Sequence, residues 1–180
     1  MLSPDDQERF SRHLLLDRLG GLGQERICAG TVLIELSHSS SGAARSCARA
    51  LSAAGVGTLI LRGPWAPAVA SECRELSASL ACALLDDATT ALPARPDVKV
   101  YSVHDPSSFE GASERTPARP PFEICLPADP RSPAEAAALG ALAALEALKR
   151  LAQVGTPFVQ TLEAFPPSAA LPAVATVARR

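Results

Sequence analysis

The chain has 180 residues, enough for one domain with a sizeable core, and its charge is nearly balanced at −2. Its basic residues are scattered and only 4% of it is aromatic; this excludes a nucleic-acid surface, which needs a basic stripe and stacking rings. The apolar stretch 134–152 contains Glu135, Glu146, Lys149 and Arg150, so it reads as an amphipathic core helix, and no membrane partner is expected.

In chain order, "MLSPDDQERF" is polar and acidic, unlike a secretory leader, and a cytoplasmic protein is expected. Ser3-Pro4-Asp5-Asp6 predicts a helix start, with a capping hydroxyl, proline in the first turn and acids at the positive end of the dipole. That helix is expected to run to about Leu15. "DRLGGLGQERICAG" (17–30) follows no strand, so its glycines read as turn chemistry and the segment as a loop.

From Thr31 the pattern alternates. Strand 31–36 precedes a Ser-rich turn, helix 43–55 and strand 57–62. A helix near 68–87 then leads to strand 97–103. The Pro/Gly/Ser-rich segment 105–121 reads as a flexible surface loop. Strand 122–127, a helix near 133–153 and strand 157–163 complete a domain spanning 1–165, and 166–180 is a Pro/Ala-rich tail. Strands alternating with helices predict an α/β fold: a Rossmann-like, doubly wound, mainly parallel sheet with helices on both faces. Cys28, Cys47, Cys73, Cys82 and Cys125 stand singly, as reduced thiols packed like small hydrophobes. No zinc pairs exist, and His13, His38 and His104 have no metal spacing.

Several segments together resemble the ThiF/MoeB family, the ubiquitin-activating-enzyme-like superfamily. They are "RFSRHLLL" (9–16), "GLGQERI" (21–27), "ALSAAGVGTLIL" (50–61) and "LGALAALEALKRLAQVGTP" (139–157). The resemblance covers roughly residues 7–163. It implies a Rossmann domain that binds ATP and magnesium and adenylates the C-terminal carboxylate of a small ubiquitin-fold carrier.

It also implies a set of site residues. The family's phosphate-binding glycines fall near Ser39, Ser41, Gly42 and Ala44, in a loop about three residues longer, and Glu35 adds negative charge beside it. This serine cluster reads as a helix-capping turn or as a serine-lined phosphate nest. The acid that holds the ribose is matched by Gly63, after Arg62. The family's asparagine and arginine, three residues apart, match Ser71 and Arg74. Lys99 and Lys149 are the only lysines, and neither matches the phosphate-binding lysine. Asp129 matches the family's metal-contacting aspartate, and it also reads as a turn-and-cap residue before Pro130. Magnesium contact is expected of it only if ATP binds. Arg12 matches an arginine that reaches across a dimer interface to the partner's phosphates; it reads equally as part of an exposed helix face.

Two functions follow from the resemblance. The first is a catalytically degenerate family protein with no resident cofactor, which partners an intact family member or a ubiquitin-like or sulfur-carrier protein in a homodimer or heterodimer. The second is a minimal ATP-dependent adenylyltransferase using Arg12, Arg74 and Asp129. Each missing charge contact costs on the order of 2–4 kcal/mol of transition-state stabilisation, which weighs against it. An NADP-type oxidoreductase using Arg62 has no catalytic dyad behind it.

Overall fold

A computed structural model describes residues 2–36, 42–85, 95–103, 122–127, 130 and 132–155. Helices α1 (Pro4–Arg9), α2 (Ser11–Leu14) and α3 (Gly20–Ala29) precede strand β1 (Thr31–Glu35). Then come α4 (Gly42–Ala53), β2 (Thr58–Arg62), α5 (Ala66–Leu76), β3 (Ala81–Leu85), β4 (Val98–Val103), β5 (Phe122–Pro127) and α6 (Pro133–Ala152). The strands form one sheet in the order β3-β2-β1-β4-β5, and every neighbouring pair is parallel. This is the expected Rossmann-like α/β architecture. The expected strand 157–163, loop 105–121 and tail lie outside the described residues.

The central strands are short β-branched and leucine runs buried on both sides, as parallel strands require: Val32, Leu33, Ile34, Leu59, Ile60 and Leu61 are all buried. Their alternation divides the core. Val32, Ile34, Leu59, Leu61, Val98, Val100, Ile124 and Leu126 meet α4, α5 and α6 in one large cluster. Leu33, Ile60 and Leu85 form a smaller one, to which none of the described helices contributes. Helices α4 and α6 approach at backbone distance because their contact is built from small residues. A Cβ on Gly140 would lie 2.4 Å from the Ala43 carbonyl oxygen, so glycine is what that crossing admits. Helix α6 starts where Ser132 Oγ accepts from the Glu135 amide (3.1 Å), with Pro133 beside it. It ends at Gln153 in the left-handed region, φ 58°.

Three local expectations need correction. The first helix is interrupted at Phe10 (φ −98°, ψ 16°), because the buried Phe10 ring docks against α4's end and the chain bends to seat it. Residues 17–30 are not a loop: α3 occupies most of them. Its glycines cost roughly 1 kcal/mol each in propensity, but burial of Gln24 and Ile27 outweighs that cost, and at Gly23 an added Cβ would lie 2.7 Å from Leu19 Cδ1. The helix near 68–87 stops at Leu76. Ser77 then turns the chain, and "ACALL" becomes edge strand β3, paired with β2 from Thr58↔Ala81 to Arg62↔Leu85. Helix-forming Ala and Leu are overruled there by an open ladder on β2.

Candidate functional site

In a parallel sheet, ligands sit beyond the carboxyl ends of the strands, where β1 hands over to the next helix. Gly42 opens α4 at that edge, with its hypothetical Cβ 3.2 Å from Ala136 Cβ. Ala44 is fully buried in the core. Its side chain therefore packs α4 against the core. Ser39, Ser41 and Asp129 lie outside the described residues, as do His38 and His104.

The other candidates are spread out. Gly63 has φ +112°, a backbone conformation that an aspartate rarely adopts. Its amide donates to the Leu85 carbonyl oxygen (3.0 Å). The turn after β2 is thus built for glycine. Ser71 and Arg74 lie on α5, which is helical from Ala66. The helix carries Arg74 to its last turn, where Nη2 donates to the Cys82 carbonyl oxygen at 3.5 Å. That is the start of β3, the sheet end opposite Gly42, so the structure does not bring Arg74 to the candidate loop.

Glu35 is not a bare charge beside that loop. Its Oε1 accepts from Arg62 Nη1 (3.1 Å) and lies 3.5 Å from Lys99 Nζ. Lys99 also sits over the Tyr101 ring, 4.8 Å from its centroid. The Tyr101 hydroxyl donates to Glu123 Oε2 at 3.3 Å. Burial, reinforced by the Glu123 charge, raises the Tyr101 hydroxyl well above the usual phenol range. These groups share the sheet face away from α4 and α6, next to Leu33 and Ile60. The cluster is legible only through strand register: Glu35↔Arg62 and Lys99↔Glu123 are paired neighbours. Arg62 spends Nη1 on Glu35, while its buried Nε has no hydrogen-bond partner among the described residues. The thiols are poor nucleophiles: burial pushes Cys47 up to about 12 and Cys125 up to about 11. Among the described residues, no group of three or more His, Cys, Asp or Glu side chains could hold a metal ion.

The N-terminal segment divides into fixed and free residues. Arg9 Nη1 donates to Ser77 Oγ (2.9 Å), and Nη2 donates to the Ser52 and Leu76 carbonyl oxygens (3.3 Å each). The guanidinium also stands 4.9 Å from the Phe10 ring centroid. Phe10 in turn covers Gly55, whose hypothetical Cβ would lie 2.2 Å from Phe10 Cζ. His13 stacks on Phe10, with centroids 5.7 Å apart. Gln24 Nε2 donates to the Ala54 carbonyl oxygen (3.0 Å), which turns its Oε1 toward His13 Nδ1 (3.0 Å) and fixes the proton on that nitrogen. Arg12, by contrast, is exposed and makes no hydrogen bond or ion pair among the described residues. Exposed Leu15, Leu16 and Leu22 are its near neighbours in sequence; Leu15 is 85% accessible.

A cavity of about 600 Å³ opens at the other sheet edge, lined by Arg26, Gly30, Asp97, Arg150, Leu151 and Gln153. Its polar walls are engaged: Asp97 Oδ2 accepts from the Thr31 amide (2.9 Å), and Arg26 Nη1 donates to the Ala152 carbonyl oxygen (3.2 Å). No helix among the described residues is long and apolar enough to cross a membrane.

No protein-family model and no curated protein matches this sequence. Solved structures do match. The microcin C7 biosynthetic enzyme MccB, in complex with N-formylated MccA, superposes with a TM-score of 0.61 at 11% identity, over 85% of this chain and 67% of that one. PaaA superposes with a TM-score of 0.57 at 12% identity, over 87% of this chain and 78% of that one. The E. coli tRNA N6-threonylcarbamoyladenosine dehydratase TcdA, in complex with AMP, gives 0.49 at 14% identity, over 58% of this chain and 53% of that one. The chain thus spans about half of TcdA's length. All three are E1-like enzymes of the ThiF/MoeB family. The fold of this chain is the fold of MccB and PaaA, as the sequence resemblance implied.

Proposed function

We propose that this protein is a catalytically degenerate relative of the ThiF/MoeB adenylating enzymes. It acts as partner, scaffold or regulator of an intact adenylating enzyme, or of its ubiquitin-like or sulfur-carrier protein. The observation that carries this reading is the contrast within one short segment. Arg9, Phe10 and His13 are consumed by structural contacts, whereas Arg12 is exposed with no hydrogen bond or ion pair among the described residues, and Leu15 and Leu16, which follow it in sequence, are exposed too. Adjacent large exposed apolar side chains suit a surface that another protein covers. A guanidinium on such a surface is suited to meet a phosphate held by the partner.

The chain's own nucleotide contacts argue the same way. Gly63 stands at the ribose acid, Arg74 is carried to the far sheet end, Lys99 is held by Glu35, and Lys149 is bonded to Glu146 on α6. In this reading the protein keeps no resident ATP or magnesium. The test mixes the protein with an intact adenylating enzyme from the same genome and follows pyrophosphate exchange. Wild-type protein is expected to change the exchange rate, and Arg12→Ala to abolish that change while still binding. An Arg12→Ala variant indistinguishable from wild type would remove the trans-acting arginine. Pyrophosphate exchange by the isolated protein would instead favour a self-sufficient adenylyltransferase.

A further inference from the structure

Three adjacent strands bring one carboxylate and two cations together on the sheet face away from α4 and α6. Glu35 ends β1, Arg62 ends β2 as its paired neighbour, and Lys99 stands on β4. A single oxygen, Glu35 Oε1, serves both cations, 3.1 Å from Arg62 Nη1 and 3.5 Å from Lys99 Nζ. Donors are left in excess. A guanidinium carries five N–H donors, and among the described residues Arg62 spends one, with Nε buried and unpartnered. Lys99 has only that longer ion pair and the face of the Tyr101 ring. Buried donors are ordinarily satisfied, and two cations with donors to spare suit a tetrahedral oxyanion better than one shared carboxylate oxygen. The strand order also reverses between β1 and β4, where parallel sheets bind ligands.

We propose that Arg62 and Lys99 form an anion site for a phosphoryl group, and that Glu35 occupies it as a built-in competitor. The carboxylate stands in for the ligand and keeps the site shut. Glu35 sits on a strand paired on both sides, so it opens the site only by turning its side chain away, not by leaving with a loop. This deepens the reading of a degenerate domain and rests on it in one respect: the closed site gives the wild type no useful phosphate affinity. Neither Arg12 nor a partner protein enters it.

Isothermal titration and thermal unfolding with inorganic phosphate, each against sodium chloride at matched ionic strength, test the closed site. Glu35→Gln, close to glutamate in size, is expected to bind phosphate at least about tenfold more tightly than the wild type. Phosphate should raise its unfolding midpoint and leave that of the wild type unchanged. Glu35→Ala should behave alike, and adding Arg62→Gln to either should abolish the gain. A parallel titration of Glu35→Gln with ATP distinguishes free phosphate from a nucleotide's phosphoryl group; either supports the site where Arg62→Gln removes the binding. Equal affinity in wild type and Glu35→Gln, binding that survives Arg62→Gln, or no binding by either Glu35 variant would overturn the proposal. Two Glu35 variants that stay unfolded even in phosphate would overturn it too, since Glu35 would then be structural. The failures are separable: ATP binding by the wild type removes the degenerate reading, whereas a Glu35→Gln variant blind to phosphate removes only the internal competitor.

Discussion

Two arginines three residues apart illustrate how little a side chain's type says about its task. Arg9 satisfies the Ser77 hydroxyl and the carbonyls of Ser52 and Leu76, at the ends of α4 and α5, and so fastens the N-terminal segment to the domain. Arg12 does nothing comparable. Arg9→Ala is expected to lower unfolding free energy by about 1–3 kcal/mol, and Arg12→Ala to change it by less than about 0.5 kcal/mol, both read by urea denaturation. Gly55 makes the same point for the backbone. Its φ of +84° and its contact with the Phe10 ring both oppose a side chain. Gly55→Ala should therefore cost about 2–4 kcal/mol, combining left-handed strain with displacement of a buried ring. The resemblance motifs around Phe10 and Gly55 could be read in sequence, yet their contact could not. Only the fold shows that one segment packs on the other.

At the level of elements, strong periodicity was readable and tertiary compensation was not. β1, β2, β4, β5, α4 and α6 lie where apolar runs and capping residues indicate, within a residue or two. α3 was hidden by its glycines and β3 by its alanines and leucines, because packing on α6 and pairing with β2 decided each. Arg74 was misplaced for a related reason: a gapless match fixes distance along the chain but not where α5 begins. Helices α4 and α5 are also joined electrostatically, since Glu72 accepts from Arg45 Nε (2.9 Å) and Arg49 Nη1 (3.0 Å). The hydrogen bond from Arg45 is the main cause that holds the Glu72 carboxyl below its ordinary value. A lowered carboxylate pKa contributes stability that is fully present above the unfolded value, about 4.3. It is lost as pH falls through the folded value. Arg45→Ala should move the Glu72 titration upward, as read by carboxyl chemical shifts. The stability difference between variant and wild type should then vanish in acid.

For the whole molecule, the architecture was legible because it rests on pattern: alternating strands and helices, and small residues where helices cross. The site was legible only in part, because ligand contacts depend on where turns and helix starts fall. The turn at Gly63 and the buried position of Ala44 are properties of the folded chain. The Glu35–Arg62–Lys99 cluster likewise depends on register across three strands. Among the described residues of the carboxyl edge, Glu35 holds Arg62 and Lys99 and Gly63 makes the turn after β2, while Arg12, Leu15 and Leu16 are exposed on the N-terminal segment. The central claim is that this domain has kept the scaffold and lost its own nucleotide. Isothermal titration of the purified protein with ATP and magnesium measures it most directly. The account predicts no saturable heat at millimolar nucleotide; a one-to-one isotherm with micromolar affinity would contradict it.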